Sequence, residues 1–139
     1  MNEQEQRTPF SLVVTGEAEK WQPALELIIG RQYVKTHPVE TQGELLDVVR
    51  AGQADAAVLD DQADLGLDVL QLLRMIRRLD NMLPVVVLTS RNDRRWLESA
   101  LRLTAFSVEM KPLDLESLLR QIQRMMVRLD AMLRGDLDH

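Results

Sequence analysis

Five short apolar segments alternate along this chain with five amphipathic ones, and this alternation constrains the fold more than any other feature. The apolar segments occupy residues 11–15, 33–36, 56–59, 85–88 and 106–110, lengths typical of β-strands. Apolar residues at helical spacing predict helices over about 17–29, 41–52, 69–79, 93–101 and 114–133. Strands that alternate with helices through short right-handed crossovers predict an α/β fold, (βα)5, in which a doubly wound sheet of five parallel strands carries helices on both faces.

Composition excludes several classes of protein. With 139 residues, 45% of them hydrophobic, the chain is long enough for one domain with a packed core, which excludes disorder over its full length. There is no Cys, so a disulfide scaffold and a thiolate metal site are excluded. His37 and His139 are the only histidines in the sequence, which excludes a multi-histidine zinc site. The net charge of −5 argues against direct binding of nucleic acid.

The sequence predicts a single domain over residues 10–133. Residues 1–9 are polar and are expected to form a flexible N-terminus, and residues 134–139 a C-terminal tail or the start of a linker. No apolar run approaches the roughly 18–20 residues of a membrane span, and the polar start MNEQEQ is not that of a signal peptide. We therefore expect a cytoplasmic protein with no membrane contact.

Polar residues follow four of the predicted strands: Thr15-Gly16, Asp60-Asp61, Thr89-Ser90 and Lys111-Pro112. In a doubly wound sheet, functional groups collect at the carboxyl ends of the strands. The carboxylate of Asp60 can accept a phosphoryl group, the hydroxyl of Thr89 can donate to a phosphoryl oxygen, and the ammonium of Lys111 can balance its charge. For each position taken alone, the alternative is that polar residues simply begin where a strand ends.

Three segments resemble motifs of one family: residues 54–60, 86–90 and 109–114. In order and spacing they resemble the receiver domain of bacterial two-component response regulators, over roughly residues 10–133. The resemblance implies a CheY-like and flavodoxin-like three-layer sandwich. It also implies that Asp60 is the phosphoacceptor and that Thr89 and Lys111 contact the phosphoryl group. In that family the peptide bond before the proline that matches Pro112 is usually cis.

The end of the first strand departs from the family. Two acidic residues that hold Mg²⁺ usually stand there, whereas this chain has Thr15-Gly16. Mg²⁺ needs carboxylate oxygens to draw it out of water, and Asp60 is then the main remaining ligand. Glu17 and Asp61 could in principle supply a further carboxylate ligand. Glu17, however, follows the position of the acidic pair by one residue, and Asp61 is expected to point to the opposite side from Asp60. We therefore expect no resident cofactor, and weak Mg²⁺ binding at most.

Three smaller departures indicate an atypical receiver. The loop over residues 61–66, which includes Gln62, lacks the Pro and the Asp-Gly of the family. Ser90 is small enough to leave access to the pocket, but a bulky arginine follows it. Val108 stands where the family often has an aromatic switch, and Phe106, placed on the same face, is expected to belong to the core. The usual relay between the Thr and the aromatic residue is therefore not expected.

The last helix predicts an association surface. Its apolar residues have heptad-like spacing: Leu118, Ile122, Met125, Leu129 and Met132. The first half of the helix is expected to pack on the sheet. Exposed apolar residues in the second half would favour a homodimer or a helix that continues into an output domain, and the candidates are Met126, Leu129, Met132 and Leu133.

Four arginines lie in or just before the fourth predicted helix: Arg91, Arg94, Arg95 and Arg102. They predict docking of an acidic partner or salt bridges across a dimer. The alternative is an ordinary solvated helix face, because surface ion pairs contribute little.

These patterns favour a two-component signal-transduction receiver module that is not an enzyme, with weak or absent Mg²⁺-dependent phosphorylation at Asp60. It would signal through the face formed by the fourth helix, the fifth strand and the last helix. Expected partners are a sensor histidine kinase, an output domain or protein, or a second copy bound through the fourth and last helices. An ordinary phosphorylated receiver and a phosphorylation-independent scaffold stay open. A nucleotide or flavin binder is disfavoured, because the acidic residues 15–19 contain no Gly-rich phosphate loop.

Overall fold

The structure, a computed structural model, describes residues 9–16, 18–63, 65–104 and 106–133. Most of the predicted N-terminal segment, the predicted C-terminal tail, Glu17 and His139 lie outside these residues. The strands are β1 (Phe10–Val14), β2 (Val34–Pro38), β3 (Ala56–Asp60), β4 (Val85–Thr89) and β5 (Ser107–Met110). The helices are α1 (Ala18–Ile29), α2 (Gln42–Arg50), α3 (Val69–Leu79), α4 (Arg94–Thr104) and α5 (Leu115–Leu133).

The five strands form one parallel sheet in the order β2-β1-β3-β4-β5, which confirms the predicted doubly wound (βα)5 fold. Strand order reverses between β1 and β3, and in such sheets this reversal opens a crevice at the carboxyl ends of the two strands. Strand β2 begins one residue later than predicted and extends through Pro38. A proline is tolerated there because β2 is an edge strand, with pairing on one side.

Two apolar clusters cover the two faces of the sheet. Helices α2, α3 and α4 pack on one face, where Trp96 is buried, and helices α1 and α5 pack on the other, where Trp21 is buried. Every residue of β3 and β4 is buried. The continuous apolarity of these two strands therefore reflects cover on both faces, as the sequence predicts.

Helix α5 uses its apolar seam mainly inside the protein. Leu118, Ile122 and Met125 are fully buried, and Met126 and Leu129 pack partly against the same cluster. The expectation that the latter two face outward is therefore wrong, because α5 follows the sheet further than the sequence suggested. The Met132 and Leu133 side chains lie outside the part of the chain that the structure describes in full. Among the described helices, none is long and apolar enough to cross a bilayer.

Charged side chains at the amino end of the sheet are bound by backbone groups. The guanidinium of Arg77 donates to the carbonyl oxygens of Leu103 at 2.6 Å, Thr104 at 3.0 Å and Asp80 at 3.1 Å, and also to that of Leu83. The Asp80 carboxylate in turn accepts the Leu83 N–H at 3.1 Å. These bonds join α3 to the loop that enters β4 and to the last turn of α4.

Candidate functional site

The carboxyl ends of four strands bring the predicted site residues to one pocket. Asp60 ends β3 and Thr89 ends β4, while Thr15 and Lys111 directly follow β1 and β5. Asp60, Thr15 and Thr89 are buried, and 18% of the Lys111 side chain is exposed. The convergence follows from the parallel arrangement, because all the strands end at the same edge of the sheet.

Asp60 and Lys111 form a direct ion pair. The Lys111 ammonium donates to Asp60 Oδ1 at 2.5 Å and to the side-chain oxygen of Gln62 at 3.0 Å. The backbone N–H of Gln62 also donates to Asp60 Oδ1, at 2.9 Å. The peptide bond between Lys111 and Pro112 is cis, as the resemblance implies. The loop after β3 and the turn after β5 thus both hold the same carboxylate oxygen.

The end of β1 approaches Asp60 through a hydroxyl and a glycine. Thr15 Oγ1 accepts the buried backbone N–H of Asp60 at 3.0 Å. Gly16 has a φ of +75°, and a Cβ added to it would lie 2.5 Å from Asp60 Cβ and 2.9 Å from Asp60 Oδ2. A side chain at position 16 would therefore collide with Asp60 itself, and an acidic residue in place of Thr15 would have to replace the hydroxyl that accepts the Asp60 N–H.

Asp61 differs from the sequence expectation. We expected its side chain to point to the opposite side from Asp60, but its carboxylate turns into the same pocket. Asp61 Oδ2 accepts the hydroxyl hydrogen of Thr89, and Asp61 Oδ1 lies 3.7 Å from Lys111 Nζ. The chain leaves strand β3 at Asp60, so the alternation of side chains along a strand no longer applies one residue later.

Thr89 links this pocket to the start of α4. Its Oγ1 donates to Asp61 and accepts the backbone N–H of Arg91 at 2.9 Å. The Arg91 guanidinium lies 4.7 Å from the centroid of the Trp96 ring and pairs with Asp93 at 3.0 Å. Hydrogen bonding from Arg91 lowers the pKa of the Asp93 carboxyl. Arg91 is therefore held against the helix that follows it. Arg94 pairs with Glu98 at 3.0 Å on α4, so two of the four predicted docking arginines have partners within the chain.

The remaining predicted residues flank the pocket. Ser90 and Pro112 are exposed at its rim. Val108, at the position of the family's switch, packs against the cluster under α2, α3 and α4. Phe106 packs against the opposite cluster, which confirms a core position but contradicts its predicted place on the face of Val108. Strand β5 begins at Ser107, so the alternation does not reach Phe106.

The side chains in this pocket do not fit a Mg²⁺ site of the family's kind. Mg²⁺ requires near-octahedral oxygen ligands, usually including one or two carboxylates. Asp60 Oδ1 is bound by an ammonium and an N–H, and Asp61 Oδ2 is bound by Thr89. Among the described residues, no three His, Asp or Glu side chains are grouped so that they could hold a metal ion.

Solved structures with the same fold include several receiver proteins. A two-component response regulator from Clostridium difficile is 18% identical, with a TM-score of 0.71, over 86% of this chain and 97% of that chain. A CheY-like receiver domain protein from Methanospirillum hungatei JF-1 is 16% identical, with a TM-score of 0.72, over 89% and 98%. The receiver domain of a sensor histidine kinase from Pseudomonas aeruginosa PAO1, with a magnesium ion in its active-site cleft, is 18% identical, with a TM-score of 0.68, over 85% and 98%.

At these identities the likeness to solved structures shows the fold. Curated proteins give no match to this chain. The family model for the response regulator receiver domain, however, matches residues 12–123. Because that match covers most of the sequence, from β1 into α5, this chain belongs to the receiver domain family of two-component response regulators.

Proposed function

We propose that this chain is an atypical receiver, not an enzyme, which takes up a phosphoryl group at Asp60 weakly or not at all and acts through protein contacts. The observation that carries the proposal is the unequal make-up of the pocket. Asp60 and Lys111 are in direct contact, as the phosphoacceptor and cation of a receiver would be. Beside them stand the Thr15 hydroxyl and Gly16, where the family has two acidic residues.

Phosphorylation of Asp60 would form a bond between a carboxylate oxygen and phosphorus. The bond from phosphorus to the donor's leaving group breaks, and its electron pair departs with that group. The transferring group spreads negative charge over its equatorial oxygens, which metal ions normally neutralise. The magnesium-bearing receiver of Pseudomonas aeruginosa is an example of such a cleft with its ion. Here the Lys111 ammonium already faces two carboxylates, so we expect slow transfer.

The surface that we expect to carry the signal is the α4–β5–α5 face, formed by those three elements at the β5 edge of the sheet. It exposes a large apolar side chain on each element: Leu101 on α4, Met110 on β5 and Val127 on α5. Arg120, Arg124 and Arg128 surround Val127 on α5. The basic surface suits an acidic kinase or output domain, whereas the exposed apolar side chains suit a second copy that buries the same side chains, in each case in the cytoplasm.

Uptake of the phosphoryl group can be measured by intact mass. Wild type and Asp60→Ala would be incubated with acetyl phosphate and Mg²⁺. We expect at most a small fraction of wild-type molecules to gain one phosphoryl group, and none of the Asp60→Ala molecules to gain it. Rapid and nearly complete modification of the wild type would instead favour an ordinary phosphate-driven receiver.

The contact surface can be tested by sedimentation equilibrium. Leu101→Ser alters the α4–β5–α5 face, whereas Leu27→Ser is a matched control on α1 at the opposite edge, where Leu27 is also exposed. We expect a wild-type dimer whose dissociation constant rises at least about tenfold in Leu101→Ser and stays unchanged in Leu27→Ser. A monomeric wild type, or equal effects of the two substitutions, would contradict self-association through this face.

A further inference from the structure

The carboxylate of Asp61 occupies the space between the hydroxyl of Thr89 and the ammonium of Lys111. Its side chain is 9% exposed, and Asp61 Oδ2 accepts the hydroxyl hydrogen of Thr89. Asp61 Oδ1 is buried, accepts no hydrogen bond from any described residue, and lies 3.7 Å from Lys111 Nζ. A buried carboxylate oxygen without a donor is costly, so its position calls for an explanation beyond stability.

A phosphoryl group on Asp60 would need the same two partners. Its oxygens would take the hydroxyl of Thr89 and the ammonium of Lys111, which end the neighbouring strand and follow the next one. In this structure the hydroxyl is bound to Asp61, and the ammonium contacts Asp60 and faces Asp61. An incoming phosphoryl group would have to displace the Asp61 carboxylate, which also repels it by charge.

We propose that Asp61 is a resident anion that takes the place of the phosphoryl group in this pocket. Its carboxylate holds the hydroxyl of Thr89 toward the pocket and excludes a second anion from that position. The proposal rests on the receiver function proposed above and names the regulation of the same site. It accounts for the turn of Asp61 into the pocket and for an Oδ1 that has an ion pair with Lys111 but no hydrogen-bond donor among the described residues.

The resident anion connects directly to α4. Thr89 donates to Asp61 and at the same time accepts the N–H of Arg91, whose guanidinium packs on Trp96. The hydroxyl therefore has one orientation, set by Asp61, and the chain entering α4 follows it. Under this proposal the α4–β5–α5 face has a single conformation that does not depend on phosphorylation by a kinase.

The test compares phosphoryl uptake in three variants of the full chain. Asp61→Ala removes the carboxylate, Asp61→Asn removes its charge and keeps its shape, and Asp47→Ala removes an exposed carboxylate from α2 as the matched control. Uptake from acetyl phosphate with Mg²⁺ would be followed by intact mass. We expect Asp61→Ala to raise the initial rate about tenfold over wild type. Asp61→Asn should give a smaller rise, and Asp47→Ala none.

A gain of uptake cannot come from damage to the fold, which would lower it. If neither Asp61 variant exceeds wild type, the proposal is overturned, and near-isosteric Asp61→Asn keeps this conclusion valid should Asp61→Ala fail to fold. An equal rise in Asp47→Ala would also overturn it, because general charge would then explain the effect. The ratio of variant to wild type tests Asp61, whereas the absolute uptake of wild type tests the proposed weak phosphorylation.

Discussion

The two ends of the sheet both hold charged side chains, but they bind them in different ways. At the amino end, the Arg77 guanidinium donates to four backbone carbonyl oxygens, and Asp80 accepts backbone N–H groups. At the carboxyl end, Asp60, Asp61 and Lys111 face one another through their side chains. Backbone partners are fixed by the fold, whereas side-chain partners can be exchanged for a ligand. The amino end therefore has the properties of a structural clamp, and the carboxyl end those of a site.

The first prediction removes the clamp at the amino end and has the largest expected effect. Arg77→Met should lower the free energy of unfolding by about 3–4 kcal/mol, because several half-buried carbonyl oxygens lose a charged donor. The matched control is Arg78→Met, an exposed neighbour on α3, with an expected change below about 0.5 kcal/mol. Urea unfolding measures both. If Arg77→Met and Arg78→Met lower the free energy of unfolding equally, the hydrogen bonds of Arg77 do not act as a structural clamp.

The second prediction fills the close approach at the carboxyl end. Gly16→Ala should cost about 2–3 kcal/mol, because the new Cβ meets Asp60 and the φ of +75° is strained for alanine. Gly52→Ala is the matched control, since its φ is +67° and a Cβ there meets no atom within 4 Å. It should cost about 1–2 kcal/mol, from strain alone. If the two substitutions lower the free energy of unfolding equally, the space between position 16 and Asp60 is not too small for a Cβ.

Sequence patterns predicted the sheet and the meeting of Asp60, Thr89 and Lys111 because these depend on regular features. Continuous apolarity indicates buried parallel strands, and parallel strands place their last residues at one edge. The start of α2 depends on an equally local pattern, a threonine followed three residues later by a glutamate: Thr41 Oγ1 accepts the N–H of Glu44 at 3.1 Å.

Two of the failed predictions concern residues that lie one position outside a strand. Asp61 follows the last residue of β3, and Phe106 precedes the first residue of β5. At both places the alternation of side chains stops, and the direction is set by loop geometry and by distant partners such as Thr89. The clamp at Arg77 was missed for a related reason, because its carbonyl partners lie in the last turn of α4 and in the loop that enters β4, which only the folded chain brings together.

The third prediction tests the side of the pocket formed by the end of β1, where Thr15 contacts Asp60. Thr15→Val keeps the shape of the side chain but leaves the buried N–H of Asp60 without its acceptor, at a cost of about 1–2 kcal/mol. Thr15→Ser, which keeps the hydroxyl, is the matched control and should cost less. Urea unfolding of both would measure the difference. An equal loss in Thr15→Ser would mean that packing of the methyl group, not the hydrogen bond, is the role of Thr15.

The fourth prediction concerns the carboxylate of Glu26, which lies away from both ends of the sheet. Like Asp80 at the amino end, it accepts a backbone N–H, here that of Thr36. Burial alone would raise the pKa of Glu26, but hydrogen bonds from the hydroxyl and the N–H of Thr36, helped by Arg31, outweigh it and lower the pKa below its ordinary value of 4.5. A carboxyl whose pKa is lowered by folding stabilises the protein above its unfolded pKa, and that contribution disappears as the pH falls through the folded pKa.

At pH 7 the free energy of unfolding should therefore be higher for wild type than for Glu26→Gln. We expect this margin to be smaller than the cost of Thr15→Val and to shrink steadily below about pH 4.5. Glu40→Gln, at an exposed glutamate four residues after Thr36, is the control and should show no such margin. Chemical unfolding at several pH values between 7 and 3 measures both. A margin that persists in acid would mean that Thr36 binds the protonated Glu26 carboxyl as well as the carboxylate, so that the contribution of this group comes from its geometry and not from its charge. In that case the two ends of the sheet would differ in whether their charged side chains bind backbone or side-chain groups. Charge itself would contribute to binding only where Asp60, Asp61 and Lys111 meet.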